Sequence, residues 1–254
     1  MKTLIIIGLF VLFLVSVQFA SAQTVDEVID KYIAARGGKE KLTAIKTIYM
    51  EGSREMMGNE VTVKITKEQG KLSRTDFEMG STNGFNLITE KGAWNYFPMR
   101  MDAPQKAEDS LLAAMQVETD IAGPLVDYTA KGHTAVLEGK ENVGDVTCYK
   151  IKLTTKAGKS ITYWIQADNY LLVQSTPTGG MMGGRRRGNS EGGGQTNSVR
   201  TFILYKDYKA VDGVLFAHSI ESRTEGGEGR GGGGTTFDKI EVNKPVDEKL
   251  YKPE

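Results

Sequence analysis

Cys148-Tyr149-Lys150-Ile151-Lys152-Leu153, then the turn Lys156-Ala157-Gly158, then Ile161-Thr162-Tyr163-Trp164-Ile165-Gln166: this stretch decides the fold class. Tyr149, Ile151 and Leu153 alternate with Cys148, Lys150 and Lys152, and Ile161, Tyr163 and Ile165 alternate with Thr162, Trp164 and Gln166. A period of two places each set on one face of an extended strand. A short glycine-containing turn between two such runs makes an antiparallel hairpin.

The same pattern recurs outward in both directions. Val61, Val63 and Ile65 alternate with Thr62, Lys64 and Thr66, while Phe202 and Leu204 alternate with Ile203 and Tyr205. Turn residues separate the runs at Met57-Gly58-Asn59, Ala167-Asp168-Asn169 and Val211-Asp212-Gly213. Many short strands joined by hairpin-length turns predict a mainly β (α+β) protein with an antiparallel sheet in meander order.

Two segments read as helix instead. Thr24 is an expected N-cap, with Glu27 completing a capping box, and Val25, Val28, Ile29, Tyr32 and Ile33 recur at helical spacing before Gly37-Gly38 stops the helix. A short turn, Glu40 to Ile45, follows. Mid-chain, Pro104 to Ala122 is predicted helical, with Ala107, Leu111, Ala114 and Met115 on one face and Gly123-Pro124 ending it. A lone amphipathic helix inserted among strands has to lay its apolar face on the sheet.

The first 22 residues have the layout of a cleaved secretory signal. Lys2 precedes the apolar run Leu4 to Val17, and Ala20-Ser21-Ala22 offers small residues before Gln23. Fourteen apolar residues are short of a bilayer span, and no cysteine follows the cut to carry a lipid. The expected mature chain, 23–254, is one periplasmic domain with no transmembrane segment. Its charge is balanced, 32 basic against 32 acidic residues over the whole chain, so nothing favours nucleic acid. A single cysteine, Cys148, excludes an intrachain disulfide. Half of the 30 glycines fall in 179–198, which also holds Arg185-Arg186-Arg187, and in 225–234. Such composition predicts two mobile loops, and meander order returns the second to the same rim as the first.

Signals for chemistry are scarce. His133 and His218 are far apart with no HExxH, no cysteine pair supports zinc, and no GxSxG elbow or phosphate loop is present. Cys148 reads as a packed thiol, His218 as a satisfied core or rim histidine, and the arginine triplet as a solvated loop. No cofactor, metal or catalytic set is expected. What remains is a possible pocket. Trp94, Phe97 and Met99, with Leu111 and Met115 on the inserted helix, are either ordinary core or the lining of a cavity between sheet and helix. Methionine suits flexible apolar cargo because its unbranched chain repacks at little cost.

Several segments together carry a resemblance. These are Ile33-Ala34-Ala35-Arg36-Gly37-Gly38-Lys39-Glu40-Lys41-Leu42 after the leader, Ile45-Lys46-Thr47-Ile48, Gly139-Lys140-Glu141-Asn142-Val143 before Cys148, Tyr163-Trp164-Ile165-Gln166-Ala167, Tyr205 to Val214, and Ile240-Glu241-Val242-Asn243-Lys244-Pro245-Val246-Asp247 with Leu250-Tyr251. The chain resembles the outer-membrane lipoprotein-sorting proteins of the LolA/LolB-like superfamily, in the exported form common in Bacteroidetes-type bacteria. The resemblance implies an incomplete antiparallel β-barrel, a curved sheet whose concave face is covered by the N-terminal and inserted helices. It also implies a hollow for lipid or lipoprotein acyl chains, with no cofactor and no covalent chemistry. An exported interaction module, holding an outer-membrane or periplasmic protein partner in the same half-barrel, is the alternative.

Overall fold

The computed structural model describes residues 23–56, 58–177, 200–225 and 234–254. The expected leader, the Gly/Arg segment 179–198 and nearly all of 225–234 lie outside them.

Thirteen strands form one antiparallel sheet. The first meander is β1 (Thr47–Met56), β2 (Asn59–Glu68), β3 (Leu72–Met79), β4 (Thr82–Thr89), β5 (Gly92–Tyr96) and β6 (Gln105–Lys106). The second is β7 (Thr134–Val143), β8 (Val146–Thr154), β9 (Ser160–Gln166), β10 (Leu172–Ser175), β11 (Thr201–Val211), β12 (Val214–Thr224) and β13 (Thr235–Val242). Meander order holds within each half, and the halves join where β1 pairs with β13. The outermost strands, β6 and β7, are not paired to each other, so the barrel stays open.

That order has a consequence for the chain between β6 and β7. It must pass from one edge of the sheet to the other, and it crosses the concave face, where Ala122, Leu125 and Val126 join the main core. The same core takes the buried stripe of α1 (Val25–Ala35), namely Val28, Ile29, Tyr32 and Ile33, and Leu42 of the short α2 (Lys39–Ala44), with Ile151, Ile161 and Ile165 from the sheet. The α1 N-terminus has the expected reciprocal cap: the Thr24 hydroxyl accepts from the Glu27 N–H at 3.2 Å, and Glu27 accepts from the Thr24 N–H at 2.9 Å. Two orphan donors are satisfied at once.

Two glycines fix the curvature. Gly37 leaves α1 at φ +121°, and a Cβ there would stand 2.3 Å from the Gly213 carbonyl oxygen, so the helix end seats directly on the β11–β12 turn. At Gly52 the β1–β13 register slips by a bulge, and a Cβ would fall 1.9 Å from the Thr236 carbonyl oxygen. Only a residue without a side chain lets the two strands fold together there.

The inserted helix is shorter than the periodicity predicts. Only Asp109–Met115 is α-helical (α3), followed by a 3-10 turn at Gln116–Thr119. Gln105 and Lys106 pair with Asn95 and Trp94 as the edge strand β6 instead. The edge of β5 offers backbone partners, and Pro104 lacks the N–H to contribute to a helix interior. The helix does lay an apolar face on the sheet, with Met115 and Leu112 packed against Ile88 and Ala93, but Leu111, expected on that face, is turned outward and exposed.

The outer face is covered as well beneath the C-terminal segment. Leu72, Phe85 and Leu87 pack under Val246, Leu250 and Tyr251. Arg74, only 6% exposed, donates to the Leu250 and Lys252 carbonyl oxygens at 3.3 and 2.8 Å and pairs with Asp76 at 2.8 Å. The Tyr251 hydroxyl donates to Glu68, whose carboxyl is held below the usual range chiefly by Lys71 and then by that hydroxyl. At the opposite end of the chain's second half, Thr201 stands opposite Thr224, and the Glu225 N–H donates to the Arg200 carbonyl at 2.8 Å. The described flanks of the two glycine-rich segments therefore meet at one rim.

Candidate functional site

Two cavities open on the concave face, and β1 contributes to both. Arg54 and Met56 line a rim cavity of about 200 Å³, and Ile48 and Met50 line an interior cavity of about 240 Å³. The two are built from different chemistry.

The rim cavity is walled by Met56, Val61, Phe77, Met79, Phe97 and Met99, with Arg54 and Arg100 as its charged groups. Phe77 and Phe97 stack with centroids 5.7 Å apart. The Arg54 guanidinium lies over the Phe77 ring at 5.1 Å, and its Nε is buried without a partner among the described residues. Burial pushes Arg54 below the ordinary arginine range. Met99 is 62% exposed at the mouth. Large apolar side chains facing an unfilled space are what an apolar ligand needs, because each contact with them removes both surfaces from water.

The interior cavity lies under α1 and the crossing segment. Tyr32 and Arg36 come from α1 and its C-cap, Lys67 from β2, Tyr163 from β9, Ser175 from β10, and Tyr205 and Tyr208 from β11. Arg36 donates through Nη1 to the Tyr32 hydroxyl at 3.2 Å and the Ala122 carbonyl at 3.3 Å, and its guanidinium lies near the Tyr32 and Phe216 rings. Lys67 donates to the Glu118 carbonyl at 2.8 Å. Burial holds Lys67 below the usual lysine range, opposed by the carboxyls of Glu118 and Asp120. Asp120 is itself paired with Lys131 at 2.5 Å. Burial keeps three of the tyrosine hydroxyls protonated: Tyr205 is pushed up to about 12, and Tyr163 and Tyr208 are raised as well. Tyr205 bonds Ser175 at 3.1 Å and Tyr208 donates to the Leu172 carbonyl at 2.9 Å. The Tyr163 hydroxyl is buried with no partner among the described residues.

The sequence-derived pocket residues are not brought together. Phe97 and Met99 share the rim cavity. Trp94 packs on the opposite face, with Leu72, Phe85 and Leu87. Met115 is buried against Ile88 and Ala93, and Leu111 on α3 is 39% exposed. Neither helix residue lines either cavity. Cys148 is buried, and burial pushes its thiol up to about 11, which keeps it protonated. His218 is buried with Nδ1 3.2 Å from the Phe216 carbonyl oxygen. Among the described residues no cluster of three or more His, Cys, Asp or Glu could hold a metal ion, and no helix is long and apolar enough to cross a membrane.

No protein-family model matches the sequence. No curated protein matches it. In three dimensions the chain is similar to a DUF1329 family protein from Desulfovibrio piger, with a TM-score of 0.52 and 13% identity over 91% of this chain and 98% of that one. It is similar to the same degree to a LolA superfamily protein from Nitrosomonas europaea, with a TM-score of 0.52 and 12% identity, again over 91% and 98% of the two chains. At such identities the likeness is one of fold: a mostly β, open half-barrel with few helices.

Proposed function

We propose that this chain is an exported, non-enzymatic binding protein that takes up lipid or lipoprotein acyl chains in the hollow of its half-barrel. The observation that carries the reading is the rim cavity, where Met56, Val61, Phe77, Met79 and Phe97 leave apolar walls around open space. In a folded core such side chains ordinarily fill one another's gaps. Here a second apolar body completes the packing. Three methionines among the walls allow chains of different length to be accommodated by rotamer changes alone. The sequence supports export through its first 22 residues, and the half-barrel fold shared with a LolA superfamily protein supports a binding role.

Mass spectrometry of lipids extracted from natively purified protein tests the reading. Co-purified acyl species are the expected result. Lipid-free protein carrying a stoichiometric protein partner would replace it with the interaction-module alternative. A sharper form uses Phe97→Asp, which places a carboxylate in the apolar wall. An unpaired charge there costs several kcal/mol, roughly, so a folded Phe97→Asp chain should lose uptake of a fluorescent fatty acid.

A further inference from the structure

The interior cavity is unlike a place for hydrocarbon alone. Two partly buried cations line it, Arg36 and Lys67, and no carboxylate pairs with Arg36 among the described residues. The nearby acidic groups do not cancel them: Asp120 is taken by Lys131, which leaves Glu118 facing Lys67 and the surroundings net positive. Burying part of a guanidinium without an anionic partner is costly, because the charge gives up water and receives only the neutral Tyr32 hydroxyl and Ala122 carbonyl in return. An orphaned buried hydroxyl, Tyr163, adds to that cost. One class of ligand answers both features. An oxyanion accepts from guanidinium, ammonium and hydroxyl donors at once, and charge-assisted bonds of this kind are the strong ones.

The remaining walls of the same cavity are apolar: Ile48, Met50, Leu172 and Phe216. The site thus suits one end of an amphiphile better than a free inorganic ion. Along β1, Met50 in this cavity and Met56 in the rim cavity are six residues apart, which at the rise of a strand is at most about 20 Å. The rim's two cations make a weaker anion site: Arg54 is already seated over Phe77, and Arg100 is exposed to water.

We infer that the interior cavity receives the anionic group of the bound amphiphile, a carboxylate or phosphate held by Arg36, Lys67 and the Tyr163 hydroxyl, while the acyl chain extends along β1 to the rim cavity. This rests on the acyl-binding reading and adds an orientation to it: the charged end is enclosed and the hydrocarbon end lies at the mouth.

Displacement of a fluorescent fatty acid from the full chain by hexadecanoate and by methyl hexadecanoate separates the two ideas. The acid should bind about tenfold more tightly or better, the scale of one hydrogen bond to a charged group. Tyr163→Phe, which removes one oxygen and leaves the ring, should cut the acid's affinity about tenfold and leave the ester's unchanged. Lys67→Met should do the same. Equal binding of acid and ester, or a Tyr163→Phe chain that keeps full discrimination, would overturn the anion site while leaving acyl binding intact. Failure of both ligands to bind overturns the acyl reading and this inference with it. Hexadecanoate should also hold its place against excess inorganic phosphate; its displacement by phosphate would mean that the anion is a free one and would overturn the lipid-borne assignment.

Discussion

At the rim of the half-barrel, Met79 and Phe97 face an opening through walls that are almost wholly apolar. Farther along the same concave face, Arg36, Lys67 and four tyrosines enclose a space of similar size with charge and hydroxyls. The contrast arises from the elements that supply each wall. The rim is built from sheet and the short Phe97–Arg100 connection, so simple strand patterning makes it apolar. The interior is roofed by α1 and the chain crossing from β6 to β7. Polar groups can be enclosed there because backbone carbonyls of Glu118, Ala122 and Leu172 are at hand to accept from them. The concave face thus offers a different chemistry in each of the two cavities.

The largest effect should come from the corner that both ends share. Gly52→Val puts a side chain onto the Thr236–Phe237 backbone, and no rotamer relieves a contact that begins at Cβ. The cost should exceed about 4 kcal/mol, read as loss of the cooperative thermal transition or of soluble protein. A Gly52→Val chain of ordinary stability would show that β1 and β13 are not folded together there.

Next comes a pair that sets stability against binding. Met115→Ala empties a buried site between Ile88 and Ala93 and should cost about 2–5 kcal/mol in urea denaturation, with fatty-acid affinity unchanged in the folded fraction. Leu111→Asp, on the exposed side of α3, should alter neither quantity. Loss of binding in a folded Leu111→Asp chain would move the ligand toward α3 and away from the rim.

In the interior, Tyr163→Phe should leave the ligand-free protein as stable as before or up to about 1 kcal/mol more stable, because the hydroxyl it removes is buried without a partner. A clear loss of stability in that variant would reveal a partner for the hydroxyl. On the helix that roofs this cavity, Thr24→Ala removes one half of the α1 capping box and should cost about 1 kcal/mol in the same denaturation experiment.

Much of this architecture was legible in the chain. The hairpin of β8 and β9, the strand β2, the capping box at Thr24 and the tight β11–β12 turn all follow local patterns that the structure keeps. The β1–β13 pairing was not legible, because it joins residues nearly two hundred positions apart and no local period encodes a partner. Alternation also failed where both faces of the sheet are covered: Trp94 is partly buried on the face beneath the C-terminal segment, and its aromatic character gave no sign of which face it took. The interior site had one readable signal. Val61, Val63 and Ile65 form the inward set of β2, and Lys67 continues that set with a charge; Arg54 does the same in the β1 series of Ile48, Met50 and Met56. A cation in register with core residues either snorkels to water or faces an enclosed partner. Tyr163 is in the apolar series of β9 and gave no such sign, since its hydroxyl becomes informative only when its surroundings are known.

On the acyl-binding proposal, hydrocarbon occupies the apolar rim cavity. Photo-crosslinking with a hexadecanoate carrying a diazirine at its methyl end, followed by peptide mapping, tests it most directly. Label is expected on Met56, Met79, Phe97 and Met99, and it should disappear when unmodified hexadecanoate competes. Competable label centred on Leu111 and Met115 in α3, or on the Trp94 face of the sheet, would contradict that placement.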